Sequence, residues 1–332
     1  MYQASEARYD EMQFSRCGKS GILLPKFAFG LWQNFGSANN MAQMKELIFT
    51  AVDLGIVHLD LANNYGPVKG AAEENFGKIL KDDLGRYRDE LIITTKAGYD
   101  MWPGPYGNWG NRKYLTASID QSLKRMGLEY VDIFYHHRPD YETPVEETAQ
   151  ALTDIVRSGK ALYIGLSNYD NEQVKKILPI LKENKTPCLI NQNRYNLFER
   201  QIEDGFLDIC EEFGSGLISY SPLAQGMLTD KYLEGIPATS RAAREGTSVI
   251  ERYMSDRNLR RVRALDAIAK KRGQSLAQMA LQWVLRDERV TAVLIGASRP
   301  EQLKENVKIL KAPAFTASEL NEINAVLCVE VE

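Results

Sequence analysis

The sequence predicts an α/β chain, read as a single (β/α)8 barrel, and three observations carry that reading. Eight short apolar runs alternate with amphipathic helical stripes from about residue 27 onward. No low-complexity linker divides the chain, and no internal repeat underlies it beyond the βα rhythm itself. The 332-residue length suits one barrel, which needs roughly 250 residues plus insertions. The alternation alone also admits a doubly wound open sheet.

In chain order, residues 1–11 form a polar, acidic N-terminal extension, and residues 12–332 a single barrel domain. Residues 12–25 predict a hairpin that turns at Gly18-Lys19-Ser20-Gly21 and caps the barrel bottom. The apolar runs are Phe27–Phe29, Val57–Leu59, Leu91–Ile93, Val131–Tyr135, Ala161–Leu166, Leu189-Ile190, Leu217–Tyr220 and Ala292–Ile295. Such runs suit parallel strands buried on both faces.

Between them, apolar residues recur at helical spacing. Examples are Met44, Leu47, Ile48, Ala51 and Val52, then Val145, Thr148, Ala149, Leu152, Ile155 and Val156. A third stripe is Ala277, Ala280, Leu281, Val284 and Leu285. Thr143-Pro144-Val145-Glu146 reads as a capping box with proline at the first helical position. Residues 221–291 make one long gap, read as a loop insertion on the active face with two helical segments.

Hydrophobic residues make up 44% and charged residues 26%, enough for a sizeable buried core. A net charge of −3 gives no reason to expect nucleic acid or an anionic membrane as partner. Cys17, Cys188, Cys210 and Cys328 lack metal-ligand spacing, and the N-terminus lacks an apolar h-region. The expectation is a soluble, cytoplasmic protein with reduced thiols and no metal.

A barrel places its chemistry at the C-terminal ends of its strands. The polar residues following the second to seventh runs are Asp60; Thr94-Thr95-Lys96; His136-His137; Ser167-Asn168; Asn191-Gln192; and Tyr220-Ser221. Singly, each has a plain explanation as a cap, rim charge or core hydrogen bond; together they make a polar ring around one mouth. His58, inside a run, is expected to be a satisfied core histidine.

The segment VHLDLANNYG (57–66), with a lysine ending the next strand and a histidine ending the fourth, resembles the aldo-keto reductase superfamily. AGYDMWPGPYG (97–107), LKRMGLEYVDIFYHHRPD (123–140) and YSPLAQGMLT (220–229) resemble two of its branches. These are the bacterial L-glyceraldehyde 3-phosphate reductases and the potassium-channel β-subunits. The resemblance runs from about residue 12 to 325. It implies a catalytic tetrad of Asp60, Tyr65, Lys96 and His137, and reduction of a small aldehyde or ketone, with methylglyoxal and L-glyceraldehyde 3-phosphate as candidates.

Physical chemistry supports that tetrad. Carbonyl reduction needs a hydride donor and a proton for the nascent alkoxide. A free phenol, with a pKa of about 10, is a poor acid near neutrality. The expectation is that the Lys96 ammonium lowers the Tyr65 pKa, that Asp60 orients Lys96, and that His137 positions the carbonyl. Strand alternation lets only one of His136 and His137 face the mouth without choosing between them; by resemblance, the family's V-D-x-x-x-x-H pattern counted from Asp132 favours His137.

No G-x-G-x-x-G opens a helix after a strand, so a nicotinamide cofactor cannot rest on a Rossmann fingerprint. A barrel instead offers a phosphate site in the loops after its seventh and eighth strands. Ile295-Gly296-Ala297-Ser298-Arg299-Pro300-Glu301 is a turn into a helix start of that kind. By resemblance, Ser167, Asn168 and Gln192 hold the nicotinamide amide and Tyr220 stacks on its ring. Ser221, Leu223, Gly226 and Lys231 cover the pyrophosphate. Arg241, Gly296, Ser298, Arg299, Gln302, Glu305 and Asn306 form the adenosine and 2′-phosphate pocket. Lys231, Arg241 and Arg299 favour NADPH/NADP+ over NADH. Trp32 joins the cofactor-contacting set; it, Trp102 and Trp109 are expected in loops at the mouth.

Two rival functions remain. Lys96 could form a Schiff base in an aldolase-like lyase. The chain could also be an NADPH-binding regulatory protein like the channel β-subunits. The resemblance gives those subunits Asn where His137 stands, so the complete tetrad argues for turnover. The resemblance further implies a homo-oligomer.

Overall fold

The computed structural model describes residues 2–233 and 252–328. Eight parallel strands close into a barrel in chain order. They are β3 (Phe27–Gly30), β4 (His58–Asp60), β5 (Ile92–Ala97), β6 (Val131–His136), β7 (Ala161–Ser167), β8 (Ile190–Arg194), β9 (Gly216–Tyr220) and β10 (Val290–Ile295). The pairing of β10 with β3 shuts the ring and removes the open-sheet alternative.

The hairpin, β1 (Phe14–Arg16) and β2 (Leu23–Pro25), seals the bottom. Its Cys17 and Leu24 join Ala28, Ile133, Tyr135, Ile190, Ile218 and Ala292 in the barrel's inner apolar cluster. Gly18 adopts a φ of +53°, and a Cβ there would lie 2.1 Å from the Gly214 carbonyl oxygen, so only glycine fits this close approach. The N-terminal segment folds back on the barrel: Tyr2 stacks on Phe49 with ring centroids 4.1 Å apart and its hydroxyl donates to Asp53.

The helices over the described residues are α1 (Met41–Asp53), α2 (Ala71–Ile79), α3 (Arg112–Met126), α4 (Val145–Arg157), α5 (Asn171–Glu183), α6 (Phe206–Phe213), α7 (Asp256–Lys271), α8 (Leu276–Val284), α9 (Pro300–Val307) and α10 (Ala317–Cys328). Each buries an apolar face against the strands or a neighbouring helix. On α1 the buried residues are the five that the periodicity named.

Three expectations need correction. First, no capping box forms at 143–146. Pro144 itself occupies the cap position with extended backbone, and Thr143 turns its hydroxyl to Asp140 at 2.6 Å. A reciprocal box does occur at α8, where Ser275 accepts from the Gln278 amide and Gln278 accepts from the Ser275 amide. Second, the described residues of the 221–291 gap do not form one active-face insertion. Residues 221–233 border the mouth, whereas α8 packs on β10 as the barrel's own crossover helix and α7 packs on α8 and α10. Third, His58 is fully buried, but both ring nitrogens lack a hydrogen-bond partner. Burial pushes its pKa down to about 4, so it sits there neutral.

Candidate active site

The functional side chains gather at the C-terminal ends of the strands because the register there brings polar residues of adjacent strands level. Asp60 pairs with Thr94 across β4 and β5, and Lys96 with Tyr135 across β5 and β6. Lys96 is fully buried; its Nζ lies 2.5 Å from Asp60 Oδ2 and 2.7 Å from the Leu61 carbonyl oxygen, and donates at 3.4 Å to the Tyr65 hydroxyl. Asp60 Oδ1 accepts from Thr94 Oγ1 at 2.8 Å and from Gln192 Nε2 at 3.1 Å. Four polar partners thus fix one carboxylate–ammonium pair beneath Tyr65.

Tyr65 stands in the loop after β4, its ring tilted 6.2 Å from that of Trp32 and edge-on to His137 at 5.9 Å. His137 follows β6 and is buried, its amide bonded to the Ala97 carbonyl at 2.8 Å and its ring perpendicular to Tyr99 at 4.7 Å. His136 turns the other way: its Nδ1 meets the Tyr169 hydroxyl at 2.7 Å, and it is absent from the mouth. Alternation along the strand thus separates the pair.

Electrostatics differ from the expectation at Tyr65. Burial raises the phenol well above its ordinary pKa, and the Asp60 charge pushes the same way. The Lys96 ammonium does not reverse this, because Asp60 already neutralises it at contact distance and the phenol hydrogen bond is long. Tyr65 therefore holds its proton throughout the neutral range. Burial lowers Lys96, with Asp60 opposing that shift, and burial together with the Lys96 charge pushes His137 well below its ordinary value. His137 is a neutral imidazole, and its Nδ1 has no partner.

A cavity of about 600 Å³ opens over this cluster. Of the residues expected at the site, Asp60, Tyr65, His137, Trp32, Ser167, Asn168, Gln192, Tyr220, Ser221, Leu223, Gly226, Lys231, Gly296, Ser298 and Gln302 line it. Lys96 lies behind that lining, whereas Arg299, Glu305 and Asn306 sit on or just before α9 without bordering the cavity. Arg241 lies outside the described residues. Trp102 and Trp109 do not reach the cavity; Trp102 packs on Tyr114, and Trp109 lies under the Arg138 guanidinium at 3.7 Å.

The upper wall is held by unusual backbone. Asn168, Ser221, Ala224 and Gln225 all have positive φ, between 46° and 60°, in the loops after β7 and β9. Non-glycine residues rarely adopt this region, and such strain concentrates at functional sites. The Asn168 side chain donates to the His137 carbonyl at 2.9 Å and accepts from the Tyr220 hydroxyl at 2.5 Å. It thereby joins β6, β7 and β9 around the mouth.

A family profile described as "Aldo/keto reductase family" matches residues 26–327. The chain belongs to the aldo/keto reductase family. Its curated relatives include an L-glyceraldehyde 3-phosphate reductase of Escherichia coli (strain K12), 56% identical over 328 residues that cover 98% of this chain and 95% of that protein. An Oryza sativa subsp. japonica protein described as "Probable voltage-gated potassium channel subunit beta" is 36% identical over 323 residues, 95% of this chain and 97% of that one. Among solved structures, the thermostable aldo-keto reductase Tm1743 bound to the inhibitor epalrestat superposes with a TM-score of 0.74 at 30% identity, covering 95% of this chain and all of that chain. Aldo/keto reductases generally use NADPH/NADP+, and this member is an NADP-dependent oxidoreductase acting on small carbonyls.

Tyr99 and Arg194 are among the residues of this aldo/keto reductase cavity that sequence reasoning missed. Tyr99 lines it two residues past the end of β5, and an aromatic this close to a strand end was the available signal. Arg194 lines it too. The sixth apolar run covers only Leu189-Ile190, but β8 continues through Asn191, Gln192, Asn193 and Arg194. Alternation from Gln192 would have pointed to Arg194 had the polar half been recognised as strand.

Proposed function

We propose that the chain reduces small aldehydes or ketones with NADPH, that Tyr65 donates the proton to the carbonyl oxygen, and that L-glyceraldehyde 3-phosphate, the substrate in its relative's name, is a candidate substrate. The observation that carries this reading is the contact of Lys96 with both Asp60 (2.5 Å) and the Tyr65 hydroxyl (3.4 Å) below a cavity that His137 also lines.

The cavity suits the cofactor by the chemistry of its far end. The backbone N–H groups of Ser298 and Arg299 converge on Gln302 Oε1 at 2.8 and 3.2 Å, so the α9 N-terminus aims donors at one point, as an anion site requires. A Cβ on Gly296 would meet no atom within 4 Å, which leaves the approach open. Ser298 and Gln302 would hold a phosphate there with Lys231, Ser221, Leu223 and Gly226 over the pyrophosphate. Tyr220, Ser167, Asn168 and Gln192 would hold the nicotinamide end. When bound, NADPH supplies the hydride.

The protein's own groups handle the proton. Tyr65, kept protonated by burial, donates to the carbonyl oxygen as negative charge builds there. Lys96, pinned by Asp60 and Leu61, then faces the new phenolate with its ammonium at hydrogen-bond distance. The product of that transfer is stabilised more than the resting phenol, which is how a half-buried, weakly acidic phenol serves as an acid. Neutral His137 can donate one hydrogen bond to the same oxygen and fix its orientation. Schiff-base chemistry has little to support it, since the Lys96 nitrogen already contacts three oxygens and does not border the cavity.

The test is a panel of small aldehydes followed by NADPH absorbance, with NADH in parallel. Tyr65→Phe should cut turnover by about 10²-fold or more while NADPH binding, read by fluorescence, persists. Wild-type turnover in the mutant would refute the mechanism.

A further inference from the structure

Arg194 ends β8, two residues beyond Gln192, so alternation carries it to the same side of the strand. Its guanidinium carbon lies 4.9 Å from the centroid of the Tyr220 ring, and its Nη1 donates to the Tyr253 hydroxyl at 3.1 Å. The nearest carboxylate is Glu199, 3.7 Å from Arg194 Nε, beyond good hydrogen-bond range.

That carboxylate is heavily shared. It accepts from the Tyr253 hydroxyl and from Asn196 Nδ2 at 3.0 Å, and it faces Arg252 Nε at 3.4 Å. Among the described residues, two guanidiniums thus share one carboxylate, so the Arg194–Arg252–Glu199 cluster carries a net positive charge. Asp60, the carboxylate among the described cavity-lining residues, is already committed to Lys96. The surplus charge also lies toward the carbonyl end. Arg194 covers Tyr220, Tyr220 bonds Asn168, and Asn168 bonds the His137 carbonyl.

We propose that Arg194 is a specificity-determining residue that binds an anionic substituent, phosphate or carboxylate, on the carbonyl substrate. The inference rests on the reductase reading above. A planar fork suits both anions, and the half-buried setting strengthens the pairing relative to water. Tyr220 and Tyr253 hold the guanidinium in place, so little side-chain entropy is lost on binding.

The experiment compares glyceraldehyde 3-phosphate and succinic semialdehyde with neutral glyceraldehyde and butyraldehyde, using the whole chain and its Arg194→Gln and Arg194→Lys variants. Expected for Arg194→Gln is a fall of about tenfold or more in the anionic-to-neutral ratio of kcat/KM, carried by KM, with partial recovery in Arg194→Lys. A fall with only the phosphorylated or only the carboxylated aldehyde supports the role and identifies the anion. An unchanged ratio overturns it. So does an unchanged ratio accompanied by weaker NADPH binding, which would place Arg194 on the cofactor. If wild type reduces none of the four, the reductase reading fails separately. Calorimetry with glycerol 3-phosphate against glycerol then decides the Arg194 role alone: binding that Arg194→Gln abolishes supports it, and no binding or unaltered binding overturns it.

Discussion

Gln192 donates a hydrogen bond to Asp60 Oδ1 at 3.1 Å across the full width of the barrel, from β8 to β4, which stand opposite each other in the ring. One amide thus braces the carboxylate that holds Lys96. Gln192→Leu should cost about 1.5–3 kcal/mol, the range for a hydrogen bond to a charged group. Urea unfolding would show this as a lower midpoint at constant slope, and an unchanged midpoint would dismiss the brace.

Removing Lys96 leaves a fully buried carboxylate without its cation. Lys96→Met should destabilise the chain by about 3–5 kcal/mol and abolish reduction. The double variant Lys96→Met with Asp60→Leu should recover much of that stability yet no activity. Recovery of activity, or no recovery of stability, would show that the pair does not act as one unit.

All three histidines of the chain are buried. His58 and His136 are each pushed down to about 4, and His137 well below its ordinary value. An unfolded histidine titrates near 6.5, so between that pH and about 4 the unfolded chain binds protons that the folded chain refuses. Stability should be full above pH ~6.5 and fall as the pH drops below it, each of the first two contributing about 3 kcal/mol of loss by pH ~4. His58→Leu should make the acid limb of a Tm-against-pH curve shallower; an identical limb would show that His58 is protonated in the fold.

Gly165 makes room for the inner layer. A Cβ there would lie 2.4 Å from two atoms of the Tyr135 ring and 3.0 Å from the Ile190 carbonyl oxygen. Gly165→Ala should therefore cost about 1–3 kcal/mol through overpacking. Tyr135→Leu added to it should cost less than the two single changes summed, and strict additivity in denaturant midpoints would rule out the ring as the obstacle.

Much of the molecule could be read before folding. Local alternation of apolar runs and helical stripes depends on short-range geometry, so strands, helices and the bottom hairpin were legible, and polar strand ends pointed to the mouth. The resemblance of VHLDLANNYG and the strand-end lysine and histidine to the aldo-keto reductases pointed to carbonyl chemistry. Polar stretches that fold as strand were not legible: β8 carries Asn191, Gln192, Asn193 and Arg194, and its three buried amides donate to groups distant in the chain, Asn191 to the Ser215 hydroxyl, Gln192 to Asp60 and Asn193 to the Tyr169 carbonyl.

What the sequence determined by itself is the set of elements and the polar residues available at their ends, because periodicity needs only neighbours in the chain. What tertiary structure decided is charge and direction. Closure of the ring set Gln192 opposite Asp60, strand alternation sent His136 and His137 to different environments, and burial raised the Tyr65 pKa where proximity to Lys96 suggested that it would fall. These outcomes depend on desolvation and on groups far apart in the chain, and neither exists until the barrel closes.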